Sequence, residues 1–283
     1  MDGFINLNKA ADMTSHDAVN FVRKIFQTKK VGHAGTLDPL ATGILPVAIG
    51  RATKFIEYLS DCDKTYRAEI FFGIETDSGD ISGKILRQEE NFFMPSIEQL
   101  KIAAKNFVGE IEQTPPKFSA IKINGRKAYD LARKNLDFEM PRRKIKINSF
   151  EILQVEKNLV TAEIDCAKGT YIRSLAADFG ESLKIPATLK SLQRVRVGKF
   201  FLQNSVTLDE LKTFPEKYLQ SIENCLDFKN FSLPKHRVKA FLNGLSTTMH
   251  LPDEVFKVYD GEKFLGTGEI ISGELRAKKL ACI

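Results

Sequence analysis

The chain has 283 residues, a formal net charge of +6, 43% hydrophobic and 28% charged residues, an ordinary balance for a globular protein able to bury a sizeable core. No apolar run is long enough to cross a bilayer, and the opening "MDGFINLNKA" lacks the basic start and apolar core of a signal peptide. A cytoplasmic location with no membrane partner is therefore expected. The cysteines Cys62, Cys166, Cys225 and Cys282 are scattered, with no C-x-x-C pair and no histidine at ligand spacing, which argues against a metal site and a disulfide framework.

In chain order, "FINLNK" reads as a short strand, and Thr14 or Ser15 caps a helix whose Ala18, Val22, Ile25 and Phe26 recur at helical spacing. The loop "GHAGTLDPLATG", Gly32 to Gly43, then sets one carboxylate, Asp38, before a proline. Pro39 has no amide hydrogen and pushes Asp38 away from helical angles, so the acid sits at an extended-to-turn junction. Two readings are open. Asp38 caps a single helical turn opening at Pro39, or the small residues Gly32, Ala34, Gly35 and Thr36 let another molecule approach an acid of fixed direction. His33 lies in the same loop.

"ILPVAIG" follows as an apolar strand and "ATKFIEYLS" as a short helix, and "KTYRAEIFFG" alternates so that Tyr66, Ala68, Ile70 and Phe72 share one face. A helix from about Ser96 carries Gln99 in capping-box position. "PPKFSAIKINGRKAYDLARK" reads as strand, Asn-Gly turn and short helix, and "KIKINSFEILQVE" and "LVTAEIDCA" as a hairpin turning at Lys157 and Asn158. In "KGTYIRSLAADFGESL", Gly169 and Thr170 open a helix with Arg173 in its first turn. The helix dipole opposes an exposed cation there by about 0.3–1 kcal/mol. Either the arginine bends toward solvent, or a nearby anion reverses the penalty, and arginine is the side chain best shaped to hold a carboxylate at two points. After about Leu226 come Pro234, a brief helix near "HRVKAFLNG" and strands separated by "DG" and "SG" turns, a compact β-rich C-terminal module.

The positive charge is concentrated. Between Lys117 and Lys146 lie ten cations, Arg142, Arg143 and Lys144 among them, against three acids, a local +7 that leaves the rest of the chain near −1. Phe118, Tyr129 and Phe138 are interleaved with these cations. They suit a surface that pairs phosphates and packs on sugars or bases, and equally a small core of the segment itself.

Together, Gly32 to Gly43, "KTYRAE" around Tyr66, "KGTYIRSLA" around Arg173 and "SLQRVRVGKF" with Leu192 resemble the TruB family of bacterial tRNA pseudouridine-55 synthases. Its central signature, Gly-His-x-Gly-x-Leu-Asp-Pro-x-Ala-x-Gly, is met in full. The N-terminal motif departs from Lys-Pro-x-Gly-x-Thr-Ser: Ala10 follows Lys9 and Asp12 stands at the glycine, while Thr14 and Ser15 remain.

The resemblance implies an α+β fold with a mixed, largely antiparallel sheet and flanking helices. It further implies a catalytic domain over 1–228 with a basic RNA-clasping insertion at 118–146, and a PUA-like module over 229–283. It implies isomerisation of uridine to pseudouridine at position 55 in the T loop of tRNA, by a monomer with no cofactor, no metal and no guide RNA. Asp38 is then the essential carboxylate, paired with Arg173, and Tyr66 stacks on the flipped base and takes part in proton transfer. His33 helps displace the target nucleotide, Tyr171 and Leu192 line the pocket, Lys9 contacts phosphate or supports the loop, and Arg142, Arg143 and Lys144 bind the T arm. Without the family, strand pattern alone favours a core role for Tyr66, and core packing explains Tyr171 and Leu192 equally well. Two alternatives stand beside this one: a tRNA folding chaperone in which catalysis is secondary, and a guide-RNA-dependent synthase.

Overall fold

A computed structural model describes residues 1–134 and 136–281, so Cys282 falls outside the described residues. In chain order come β1 (Gly3–Lys9), α1 (Ser15–Ile25), β2 (Val31–His33) and β3 (Thr42–Ile49), then a 3-10 segment, Gly50–Phe55, running into α2 (Ile56–Ser60). Next are β4 (Lys64–Phe72), β5 (Ile74–Thr76), β6 (Ile85–Gln88), α3 (Ile97–Lys105) and β7 (Gly109–Gln113). They are followed by β8 (Lys122–Ile123), β9 (Arg126–Lys127), α4 (Ala128–Arg133), β10 (Arg143–Glu156), β11 (Leu159–Cys166), α5 (Ile172–Ser182) and β12 (Ala187–Val197). No described helix is long and apolar enough to cross a membrane.

Two compact units result. One comprises Leu40–Gly43 and Asp61–Val197. Its sheet runs from the first residues of β3 through β12, β4, β11 and β10 to β7. Thr42 and Gly43 pair with β12 in parallel, and the β12–β4, β4–β11, β11–β10 and β10–β7 pairings are antiparallel. β4 lies inside the sheet, where an apolar face must alternate with a polar one. Tyr66, Ala68, Ile70 and Phe72 are buried while Arg67 is exposed, as the sequence predicts. Phe179 of α5 packs on Phe72 of β4 and Phe150 of β10, with ring centroids 5.9 and 5.0 Å apart, and this holds α5 on the sheet. The β10–β11 hairpin turns at Lys157, with φ of 52°, and the β8–β9 hairpin at Asn124 and Gly125, both at positive φ, the twist a two-residue hairpin turn requires.

The other unit comprises Met1–Pro39, Ile44–Ser60 and Gly198–Ile283. Thr14 caps α1, its hydroxyl accepting from the Asp17 amide while the Asp17 carboxylate accepts from the Thr14 amide. The C-terminal stretch forms its own five-stranded sheet, with short edge strands Lys229–Ser232 and Thr247–Thr248 flanking Val255–Asp260, Lys263–Ile271 and Glu274–Leu280. Turns at Gly261 and at Ser272–Gly273, all at positive φ, join the last three. A separate core built around Phe241, Val258, Leu265 and Leu275 fills this module.

Two local expectations are corrected. No helical turn opens at Pro39: residues 39 and 40 form a bend and β3 starts at Thr42, so Asp38 is not a helix cap. α5 starts at Ile172, behind Tyr171 in extended conformation, and not at Gly169. Gly169 has φ of 86°, which ends β11 in a turn.

Four strands meet at Asp165 on β11. Its carboxylate accepts from Thr65 of β4 and Arg196 of β12 at 2.5 Å, and from Asn148 of β10 at 2.8 Å. Partial burial alone would raise its pKa, but the bonds from Thr65, Asn148 and Arg196 outweigh this and lower it below 3.8. A depressed carboxylate pKa contributes stability that is complete above the unfolded-state value and lost as pH falls through the folded one. Asp165→Asn is therefore expected to cost on the order of 2 kcal/mol at neutral pH. In thermal melts, the gap between wild type and variant should close below about pH 4.

Candidate active site

Asp38 is half-buried, and the residues on either side of it are pinned. Before it, the buried Ser15 hydroxyl accepts the Leu37 amide at 2.8 Å and donates to the Leu37 carbonyl at 3.1 Å. After it, the Pro39 carbonyl accepts from the Lys9 ammonium at 3.3 Å and from the Asp12 amide at 3.0 Å. The loop's N-terminal arm is a short ladder, His33 opposite Val47, extended by the Ala34 amide to Pro46 O at 2.9 Å. The loop is thus fixed by bonds to its backbone and needs no helix.

Lys9 is fully buried, and its ammonium also donates to Ala10 O and Met13 O, each at 2.8 Å. Of its two expected roles, this placement favours loop support. Asp12 has φ of 60°, the left-handed conformation for which glycine is the usual residue and Asp one of the tolerated replacements. The departure from the family motif therefore keeps the turn.

In the unit that begins at Leu40, Gly43 lies against Arg194 with φ of 96°, and a Cβ there would stand 2.3 Å from the Arg194 carbonyl oxygen. Only glycine permits this approach. Arg194 in turn pairs with Tyr66, and Tyr66 with Ile164. Tyr66 and Leu192 are each 8% exposed, and Leu192 pairs with Ala68, two residues along the same strands. Two buried cations flank Tyr66: Arg194, and Lys64, whose ammonium donates to Cys62 O at 2.7 Å. Burial, and then the neighbouring Arg194 charge, lower the Lys64 pKa. Neither cation is singled out by sequence reasoning, because both sit at positions that alternate like core residues.

Arg173 is buried, which excludes the solvent-facing reading. Its guanidinium donates to Ser78 O at 2.8 Å and Phe118 O at 3.0 Å and lies 3.8 Å from the Asp80 carboxylate. Asp80 is itself buried and held, accepting from Ser78 Oγ and the Ser82 amide at 3.0 Å and from Ser82 Oγ at 2.5 Å. It supplies an anion of the kind that the arginine's helix position calls for, and it sits in the "SGDISG" turn between β5 and β6. Tyr171, half-buried, stands just before α5.

All ten cations of the basic segment are exposed. Lys117 lies over the Phe138 ring at 5.6 Å, and Lys127 and Arg133 over Tyr129 at 5.3 and 5.6 Å, so these aromatics serve the segment's own packing as well as its charge. A cleft of about 520 Å³ is lined by Lys122, Arg126, Lys127 and Lys134 with Asp130. Strand pairing sets Lys144 opposite Glu112 and Lys146 opposite Glu110, and Arg142 lies 3.9 Å from Glu112. These glutamates, outside the segment counted from sequence, offset part of its charge. Among the described residues, no group of three or more His, Cys, Asp or Glu side chains is placed to hold a metal ion.

Residues 23–172 match the model of the TruB family pseudouridylate synthase N-terminal domain. Similar curated proteins, each named tRNA pseudouridine synthase B, include that of Carboxydothermus hydrogenoformans, 43% identical over 99% of this chain and 98% of that one. Those of Clostridioides difficile (41%, covering 95% of each) and Caldanaerobacter subterraneus subsp. tengcongensis (39%, covering 99% of each) are also similar. In fold, the chain is similar to a solved structure titled a Cbf5-Nop10-Gar1 complex, with a TM-score of 0.78, 24% identity and coverage of 98% of this chain and 84% of that one. A second, titled an H/ACA RNP bound to a substrate RNA, gives 0.76 at 22% identity, covering 99% and 85%. The matched family model and near-full-length relatives of about 40% identity place the chain in the TruB family of pseudouridylate synthases.

Proposed function

We propose that this protein isomerises uridine to pseudouridine at position 55 in the T loop of tRNA, as a stand-alone cytoplasmic monomer without cofactor or guide RNA. The observation that carries the reading is the acid loop: Asp38 stands in the family's complete signature, with Leu37 and Pro39 pinned on either side of it. Relatives named tRNA pseudouridine synthase B support the substrate. The solved complexes, at 22–24% identity, bear on the fold alone.

The reaction breaks the bond from C1′ to N1, turns the base within the site, and forms a bond from C1′ to C5. The C5 proton leaves and N1 gains one, so no atom or electron is supplied from outside. Asp38 serves as the essential carboxylate, with Arg173 as its partner cation. Tyr66 stacks on the flipped base and takes part in the proton transfer. The buried charges of Lys64 and Arg194 beside it favour the nucleotide's anionic backbone. His33 fills the space the target leaves, and Tyr171 and Leu192 form pocket walls. Arg142, Arg143 and Lys144 pair phosphates of the T arm, where backbone contacts position and the shape of the T loop selects. Residues 1–228 form the catalytic domain, and the module over 229–283 meets the acceptor side of the tRNA.

Chemistry specific for pseudouridine, applied to unmodified tRNA incubated with the pure protein and no guide, tests the whole reading. Asp38→Asn should abolish product while leaving tRNA affinity within a few fold, and turnover by Asp38→Ala would overturn the assignment.

Reversing the charge at Arg142 and Arg143 should lower the slope of log affinity against log salt by about 0.9 or somewhat less per lost phosphate contact. Single-turnover conversion at saturating enzyme should stay near normal. Loss of conversion with an unchanged slope would remove these residues from RNA binding.

Asp80→Asn keeps the shape of the turn but removes the charge 3.8 Å from Arg173. Saturated conversion should fall at least tenfold, the equivalent of about 1.4 kcal/mol of transition-state stabilisation, with tRNA affinity unchanged.

A further inference from the structure

The first turn of α5, which carries Arg173, has no side-chain cap of its own. Within the helix the Leu175 amide donates to Tyr171 O at 3.0 Å. From outside it, Tyr171 is also held by Gln113, the last residue of β7, which is 2% exposed. Its side-chain amide spans the backbone of Tyr171: Nε2 donates to Tyr171 O at 3.1 Å, and Oε1 accepts the Tyr171 amide at 2.9 Å. Both polar atoms of the buried amide are thereby satisfied, and Tyr171 is held at two points, as by a neighbouring strand. One residue on, Thr114 O accepts the Ser174 hydroxyl at 2.8 Å, and further along the same stretch Phe118 O accepts from Arg173. Residues 113–118 thus form a strap bonded to three positions of the α5 start, Tyr171, Arg173 and Ser174. The strap leads directly into the basic segment.

We propose that Gln113 is a positioning residue for the isomerisation: its amide sets the point at which α5 begins and so the aim of Arg173, and the strap ties that aim to the segment that grips RNA. The inference rests on the reading of Arg173 as part of the reactive site. A glutamine that served stability alone would leave the conversion step untouched once the protein is folded and the tRNA bound.

Gln113→Glu separates the two roles. It keeps the acceptor for the Tyr171 amide but sets a carboxylate oxygen against the Tyr171 carbonyl, and protonation restores the missing donor. Burial beside that carbonyl raises the pKa of the new acid, against a screened, opposing pull from the exposed Arg143 that pairs with this position on β10. In single turnover on unmodified tRNA at saturating enzyme, conversion by Gln113→Glu relative to wild type should climb toward unity as pH is lowered from about 8 to about 5.5. Gln113→Ala should convert at least tenfold more slowly across that range with affinity within roughly threefold. A flat Gln113→Glu ratio, or an alanine variant that loses affinity in place of conversion, would overturn the proposal. If the alanine variant does not give a folded melting transition, the pH profile of Gln113→Glu decides alone. Arg173→Lys is the control. If it is slow and both Gln113 variants are normal, only the role of Gln113 falls, whereas if it converts at the wild-type rate, the reading of Arg173 falls and the proposal with it.

Discussion

A buried ammonium governs the acid loop. Lys9 carries its charge at full burial, a placement that costs several kcal/mol unless the donors are matched, and it donates to the carbonyls of Ala10, Met13 and Pro39. Two of those carbonyls belong to the turn before α1 and one to the loop bearing Asp38. The lysine therefore fastens the turn before α1 to the loop beyond its short N-terminal ladder. Ser15, at the start of α1, and Asp12, in the turn before it, add bonds to Leu37 and Pro39. A loop held in this way through its backbone leaves the side chain of Asp38 to be used for something else.

The second unit repeats the pattern with charge placed inside a sheet. Lys64 and Arg194 are buried on neighbouring strands, and Arg173 is buried at the start of α5. Three cations in one fold interior are a poor route to stability, since each must be stripped of water. Their placement makes sense where an anion, from the protein or the substrate, comes to them. Arg173 shows the economy of the arrangement: carbonyl oxygens of Ser78 and Phe118 take two of its donors, and Asp80 supplies charge without bidentate pairing. Donors on the remaining edge of a planar guanidinium keep their direction because the ring of partners fixes its plane.

Much of this was legible in the sequence wherever side chains speak to their own neighbours. The alternation of β4, the cap at Thr14, the capping box at Ser96, the Asn124–Gly125 and Lys157 turns and the β-rich tail all follow local rules, and the structure agrees with each. The candidate site was legible as motifs but not as supports. Gln113 and Arg194 meet backbone groups of distant segments, and a backbone group carries no residue code, while Asp80 meets Arg173 only once the chain has folded. The reading of Asp38 as a helix cap failed for a related reason: Asp-Pro offers a cap locally, but bonds from Lys9, Asp12 and Ser15 supply the partners that a helical turn would otherwise provide. The charge of the basic segment was counted correctly yet overstated, because Glu110 and Glu112 reach it only through the β7–β10 pairing.

Asp12 shows how far a motif can drift while its physics stays. The position needs a left-handed backbone, at φ of 60°, so that its amide can reach the Pro39 carbonyl. Glycine meets that need without strain but loses more conformational freedom on folding. Asp tolerates the same conformation through local hydrogen bonding by its short side chain. The two residues thus reach one turn by different routes, one limited by entropy and the other by sterics. What must be kept is the donor at that point in space, because it helps hold Pro39, and Pro39 follows the acid.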